Sequence, residues 1–369
     1  MAKIALYLAG GGARGAYQAG VLKAIQHLLQ LKTLPFEIIT GVSVGSINAA
    51  ILIEHADDFF QGIHKLETLW SELSCEQIFD SSNFGLAKSL IANLSRSIIK
   101  NRQAGYLLNT RPLQGFITKN INFDTIQTNI DNGIVKAFEV ITHCYETQQT
   151  LSFYQNHEPV FEDWQYPRHI SQRARIAMEH ILASSALPLF FPTVRIDGLH
   201  YGDGGMGLVS PLRGAIRFNA ERLFIIGTRP SPNFSRAHLA YKEDIDFANI
   251  LGGMLSGLFL DNLDRDIEMV NRMNDIARLL SLWKKRHSPW RPIKTLYMRP
   301  SMDIASIAQS MYIAMPTLLR FMLNYLGAKR HSGDLLSFLL FEQAFTRELL
   351  SLGFQDGMSQ QEQIMDFFA

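Results

Sequence analysis

Cysteine is scarce: Cys75 and Cys144 are the only two in 369 residues. Two distant cysteines build neither a disulfide framework nor a Cys-based zinc site, and a reducing compartment suits them. No excess of either charge exists, with 35 Lys and Arg against 34 Asp and Glu and a formal charge of +1. Without surplus cations to neutralise phosphates, a general nucleic-acid binder is disfavoured. Uninterrupted apolar stretches are missing as well. Ile304 to Leu319 runs uncharged for 16 residues but contains Gln309, Ser310 and Pro316, short of the roughly 20 that span a bilayer. The apolar run at the N-terminus ends at once in glycines, so it reads as a first buried strand rather than an export signal. A cytoplasmic protein, peripheral to a membrane at most, is the expectation.

What the chain does contain is apolar bulk. Hydrophobic residues make up 47% and charged residues only 19%, with 24 phenylalanines. Disorder is thereby excluded. Either a large core or a surface that meets lipid explains the composition. The length fits two or three ordinary domains, or one large α/β domain with an extension.

The opening has an α/β rhythm. Ile4 to Leu8 is a short apolar run, and Val21, Leu22, Ile25, Leu28 and Leu29 follow at helical spacing. Phe36 to Thr40 reads as a second strand, which makes a βαβ unit and a parallel sheet. Residues 57–130 are mostly helical in pattern. Val135 to Tyr145 and Thr150 to Tyr154 read as paired strands, a helix is expected near 171–183, and strands near Thr193–Tyr201, Leu223–Ile226 and Thr295–Met298. From Ile250 to Leu282 the residues Leu263, Ile267, Val270 and Ala277 lie along one amphipathic face.

Gly10-Gly11-Gly12-Ala13-Arg14-Gly15 stands between a strand and a helix. It satisfies a dinucleotide-binding pattern, but that use needs an acid closing the second strand, where Thr40 and Gly41 stand. No Lys-Ser or Lys-Thr follows, so it is not a P-loop. The other reading is an oxyanion hole. Consecutive glycines let backbone N–H groups converge beside a helix N-terminus, and each such donor is worth roughly 3–4 kcal/mol in acyl transfer. A plain tight turn is the bland alternative.

Gly41-Val42-Ser43-Val44-Gly45 follows the second strand and precedes a helix-like stretch, the context of a nucleophile elbow. The five-residue pattern alone is weak; its position beyond the glycine loop strengthens it. None of the 11 histidines sits in a loop with catalytic punctuation. His200 reads as half-buried sheet filler, and His238, His287 and His331 as solvent-facing. Asp203, in Tyr201-Gly202-Asp203-Gly204-Gly205-Met206-Gly207, ends a strand among glycines that permit close approach to another loop. Bonded to Ser43, it would take the hydroxyl proton without a histidine. An ordinary Asp-Gly turn is the competing reading.

Taken together these residues resemble the patatin-like phospholipase family. The three motifs, Gly10 to Gly15, Gly41 to Gly45 and Asp203-Gly204-Gly205, occur in the family's order, with Ala183-Ser-Ser-Ala-Leu-Pro188 as a fourth familiar stretch. The resemblance implies a three-layer α/β/α fold with a mostly parallel central sheet and a helical C-terminal extension. It places the catalytic domain at 4–216 and the extension, partly packed on it, at 217–369. It implies a serine lipid acyl hydrolase of phospholipase A or lysophospholipase type, acting on lipid or fatty acyl esters without metal or organic cofactor. By position, Ser43 is the nucleophile and Asp203 the base. Gly10, Gly11, Gly12 and Arg14 form or brace the oxyanion site. A triacylglycerol lipase or general esterase on the same dyad is the alternative; an oxidoreductase or a silent lipid-binding protein fits less well.

Two segments are candidates for transient membrane contact. Phe247 to Leu260 is uncharged, and Trp283 to Lys294 interleaves two tryptophans with five Lys or Arg residues. A buried helix and a solvated basic loop are the competing reading.

Overall fold

Strand β1 (Ile4–Leu8) and helix α1 (Gly15–Leu29) lead to strand β2 (Ile38–Val42) and helices α2 (Val44–Glu54) and α3 (Phe59–Ser71) in the computed structural model. The structure describes residues 3–80, 106–157, 162–230, 247–279, 291–317, 320 and 333–369. The basic part of the Trp283–Lys294 segment, with Lys284, Lys285 and Arg286, lies outside the described residues, as do His238, His287 and His331.

After helix α4 (Arg111–Asn120) come strands β3 (Ala137–Cys144), β4 (Gln149–Asn156), β5 (Gln165–Tyr166) and β6 (His169–Arg173). Helix α5 (Met178–Ser184), strands β7 (Val194–Ile196) and β8 (Leu199–Asp203), helix α6 (Arg213–Arg217) and strand β9 (Arg222–Ile226) follow. The long helix α7 (Phe247–Leu279), strand β10 (Lys294–Met298) and helices α8 (Gly333–Leu339), α9 (Gln343–Ser359) and α10 (Gln361–Phe368) come next, with shorter helices at Cys75–Ile78, Phe123–Asp131 and Ile304–Ser310 between the elements named.

The described strands form one sheet in the order β10-β9-β1-β2-β3-β4-β6-β5, with β8 paired to β3 and β7 to β8. From β10 to β3 all neighbours are parallel; β3–β4, β3–β8, β7–β8 and β5–β6 are antiparallel. Side chains alternate between two cores, as the period of two demands. Leu6, Leu8, Ile39, Phe138 and Val140 pack under α1, α2 and α9. Ala5, Tyr7, Ile38, Ala137 and Ile141 pack under α6 and α7, where Leu263 and Val270 of the amphipathic face are buried. Helices on both faces of a mostly parallel sheet make the three-layer α/β/α arrangement expected from the motifs.

Residues beyond 216 supply β9 and β10 to this sheet, next to β1. They also supply α9, which crosses α1 with backbones touching: a Cβ on Gly20 would overlap the Leu350 carbonyl, and one on Gly353 the Tyr17 carbonyl. Two local expectations are corrected. The helix near 171–183 begins only at Met178, because His169–Arg173 is drawn into the sheet alongside Thr150–Tyr154. His200 is exposed rather than half-buried, its Nδ1 bonded to Glu146 Oε1 at 2.7 Å.

Candidate active site

The register of β3 brings the site together. Val42 of β2 pairs with Ile141, and the next β3 residue, Thr142, pairs with Asp203 of β8. β8 thus takes over the lane along β3 that β2 leaves, and the two strands meet end to end. Ser43 and Asp203 stand at that junction.

Ser43 follows β2 directly and caps α2, with φ 54° and ψ −129°. A side chain in such a conformation costs about 1–3 kcal/mol and is held only by its surroundings. The turn is closed by Ser46, whose N–H and Oγ–H both donate to the Ser43 carbonyl, at 2.9 and 2.6 Å. Gly45 touches the first strand, and a Cβ there would overlap the Leu8 carbonyl; Gly41 meets the Ser46 backbone in the same way. The two flanking glycines therefore let the elbow seat against the sheet.

Ser184, at the end of α5, ties the parts. Its Oγ accepts from the Ser43 N–H at 2.9 Å and donates to the Ile141 carbonyl at 2.6 Å. Its carbonyl accepts from the Gly204 N–H at 3.3 Å, and the Asp203 N–H donates to the Ala186 carbonyl at 3.1 Å. The stretch around Ser184 entered through the family resemblance alone, without a role; adjacent serines before a proline are its local signal.

Asp203 is fully buried. Its Oδ1 accepts from the Gly205 N–H at 2.9 Å, while Oδ2 is buried without a hydrogen-bond partner. Burial pushes its pKa up to about 7, with the nearby Ser43 hydroxyl and the Gly205 N–H pulling the other way. The Ser43 hydroxyl is thus near enough to favour the carboxylate, yet outside hydrogen-bond geometry with Oδ2. Such loose geometry is common in catalytic pairs before substrate tightens them.

The glycine loop faces the same space. Gly11 and Gly12 have φ 153° and 56°, and among the described residues no backbone acceptor meets their N–H groups. Gly10 lies against Ser43, its carbonyl accepting from Thr228 Oγ1 at 2.7 Å. Gly15 opens α1 against Val44 and Trp70. Arg14 lies behind the loop, buried. Its Nε donates to Ser337 Oγ at 2.8 Å, Nη2 to Asp334 Oδ1 at 3.1 Å and Nη1 to the Thr228 carbonyl at 3.5 Å. The guanidinium sits 4.6 Å from the Phe338 ring centroid. Burial lowers the Arg14 pKa, and Asp334 opposes that shift. Nothing in the sequence pointed to these partners, which lie more than two hundred residues away.

Ser43, Asp203, Gly11 and Gly12 line an apolar cavity whose other walls include Ile47, Ile51, Trp70, Phe191 and Phe341. Charge at its polar end and hydrocarbon along its walls suit an ester with a long acyl chain. Among the described residues no group of three His, Cys, Asp or Glu side chains could hold a metal ion. Among them, too, no helix is long and apolar enough to cross a membrane.

A family model described as patatin-like phospholipase matches residues 6–216. The chain is similar to "Uncharacterized protein YjjU" of Escherichia coli (strain K12), 26% identical over 230 residues, covering 62% of this chain and 53% of that protein. It is also similar to "Lysophospholipase nte1" of Aspergillus terreus, 43% identical over 54 residues, covering 15% of this chain and 3% of that protein. The chain thus matches about half or less of the length of these relatives. Among solved structures, VipD from Legionella pneumophila aligns with a TM-score of 0.39 and 13% identity, covering 98% of this chain and 67% of that one.

Proposed function

The chain belongs to the patatin-like phospholipase family, and from that premise we propose that it is a serine lipid acyl hydrolase working through a Ser43–Asp203 dyad. The observation that carries the reading is the meeting of Ser43 and a buried, half-unpartnered Asp203 at the polar end of an apolar cavity. Ser43 Oγ attacks the ester carbonyl while Asp203 Oδ2 takes its proton. The N–H groups of Gly11 and Gly12 receive the tetrahedral oxyanion. The alcohol leaves with the proton from Asp203, and the acyl chain stays on Ser43. Asp203 then deprotonates a water that attacks the acyl carbonyl, and it returns that proton to Ser43 Oγ as the acyl–oxygen bond breaks and the fatty acid leaves. Arg14 acts in this scheme as a brace: it holds the glycine loop from behind, and its charge is engaged by Asp334 rather than turned to the cavity.

A fluorophosphonate probe is expected to label the protein at Ser43 and to leave Ser43→Ala unlabelled, with ester turnover lost in both Ser43→Ala and Asp203→Asn. Turnover of a short acyl ester at the parent rate by either variant would sink the dyad. A triacylglycerol lipase or general carboxylesterase would use the same machinery, since the apolar walls fit any acyl chain; a panel of lipid esters separates these. Transient contact with a membrane surface belongs to the same reading. The first turns of α7 expose Ile250 and Met254 and pack beside α8, whose Phe338 lines the cavity.

A further inference from the structure

A second, more open hollow lies beside the dyad cavity, and the two share Leu113, Ser185 and Phe191. Its character is different. One wall is the N-terminal turn of α4, with Thr110, Arg111 and Gln114; the facing wall carries Glu179 of α5. The hollow therefore holds a cation and an anion. Arg111 and Glu179 are exposed, and neither side chain has a hydrogen bond or ion pair, to each other or to any described residue. The start of α4 is itself closed: the Arg111 N–H donates to Asn109 Oδ1 at 3.1 Å and Pro112 has no N–H, so the guanidinium of Arg111 is the cationic group offered to a ligand. Thr110 does not cap that end with its side chain.

At the wall common to both cavities sits Ser185. It is only 7% exposed, and its Oγ is buried without a hydrogen-bond partner. Leaving such a hydroxyl unmatched costs about 1–3 kcal/mol, a cost removed when a ligand oxygen reaches it. A lipid whose acyl chain fills the apolar cavity, with its ester at Ser43, would carry its glycerol oxygens past this point into the hollow.

Resting on the acyl-hydrolase reading of Ser43 and Asp203, we propose that the hollow is a headgroup subsite for a zwitterionic phospholipid. Arg111 holds the phosphate, as guanidinium groups do through paired N–H donors. Glu179 faces the headgroup ammonium, and Ser185 donates to a glycerol oxygen. A neutral glyceride leaves Arg111 and Glu179 unmatched. An anionic headgroup satisfies Arg111 but meets repulsion at Glu179.

Two measurements test this. In the first, Ser43→Ala protein is titrated calorimetrically with a short-chain alkylphosphocholine ether, which has no ester to cleave, below its micellar concentration. Adding Arg111→Gln or Glu179→Gln is expected to weaken binding about tenfold, the size of one lost charge-assisted hydrogen bond. Inorganic phosphate alone is expected to bind far more weakly. In the second, the ratio of KM for a phosphocholine monoester lipid to KM for the monoacylglycerol of the same chain is expected to rise about tenfold in each single variant of the active protein. Glu179→Gln is also expected to lower KM for an anionic phosphoglycerol lipid. Ether binding unchanged by both substitutions, or phosphate binding as tight as the ether, would overturn the subsite. Because the titration needs no turnover, a protein that cleaves no ester defeats the hydrolase reading alone and leaves the headgroup result to be read by itself.

Discussion

Asp203 combines two demands that pull against each other. A base must be ionised to accept the Ser43 proton, yet burial holds its pKa up at about 7. Hydrolysis is therefore expected to rise with pH through about 7, because only the carboxylate form can act; a kcat/KM profile flat from pH 5 to 8 would contradict Asp203 as the base. Stability runs the opposite way. The folded state keeps a proton on Asp203 that the unfolded chain has already released above its ordinary pKa of 3.8. Stability is thus lost as pH rises from that value through about 7, and the full penalty is present above it. Asp203→Asn removes the penalty, so the variant is expected to gain more in Tm over the parent at pH 8 than at pH 5. Equal gains at both pH values would show that the buried charge is not what burdens the fold. Glu139, buried on the other face and also raised to about 7, carries the same pH dependence in parent and variant alike. At this scale the sequence was most legible. Ser43, Asp203 and the glycines that flank them are read from local sterics, because a strained elbow and a close strand contact leave few residue types possible. Ser184 and Ser185 escaped assignment because a serine is compatible with many local structures.

At the level of elements, α8 decides how firmly the glycine loop is held. A Cβ on Gly12 would overlap the Phe338 carbonyl, so loop and helix touch backbone to backbone. Arg14 pins the contact through Ser337 and Asp334. Ser337→Ala is expected to lower kcat about tenfold, the size of one hydrogen bond to a charged group, with KM and Tm little changed and with recovery in Ser337→Thr. A loss of Tm in proportion to kcat would mean that Ser337 serves the fold alone. The α/β alternation at the start of the chain was legible because apolar spacing is a local property. Residues 171–173 were not: they read as the start of a helix, but pairing of His169–Arg173 with Thr150–Tyr154 makes them strand. Such pairing depends on a partner whose arrival no local pattern announces.

For the whole molecule, chemistry and folding divide differently along the chain. The three motifs end before residue 216, whereas β9, β10 and α9 complete the sheet and cover α1 from beyond it. A chain truncated after residue 216 leaves β1 as an open edge and bares Leu6, Leu8 and Tyr17. It is expected to be insoluble or to lack a cooperative thermal transition; a soluble fragment with parent-like turnover would show that residues 4–216 fold as an independent domain. Composition and motif order were enough to set the α/β class, the elbow, the glycine loop and the carboxylate, since each follows from steric rules acting over a few residues. The tertiary structure alone decided that β8 continues the lane of β2, that Arg14 is buried against α8, and that an apolar cavity and a charged hollow share one wall. Those outcomes depend on strand register and burial among residues hundreds of positions apart. Their energies are set by which surfaces meet, and a one-dimensional pattern does not encode that meeting in any local form.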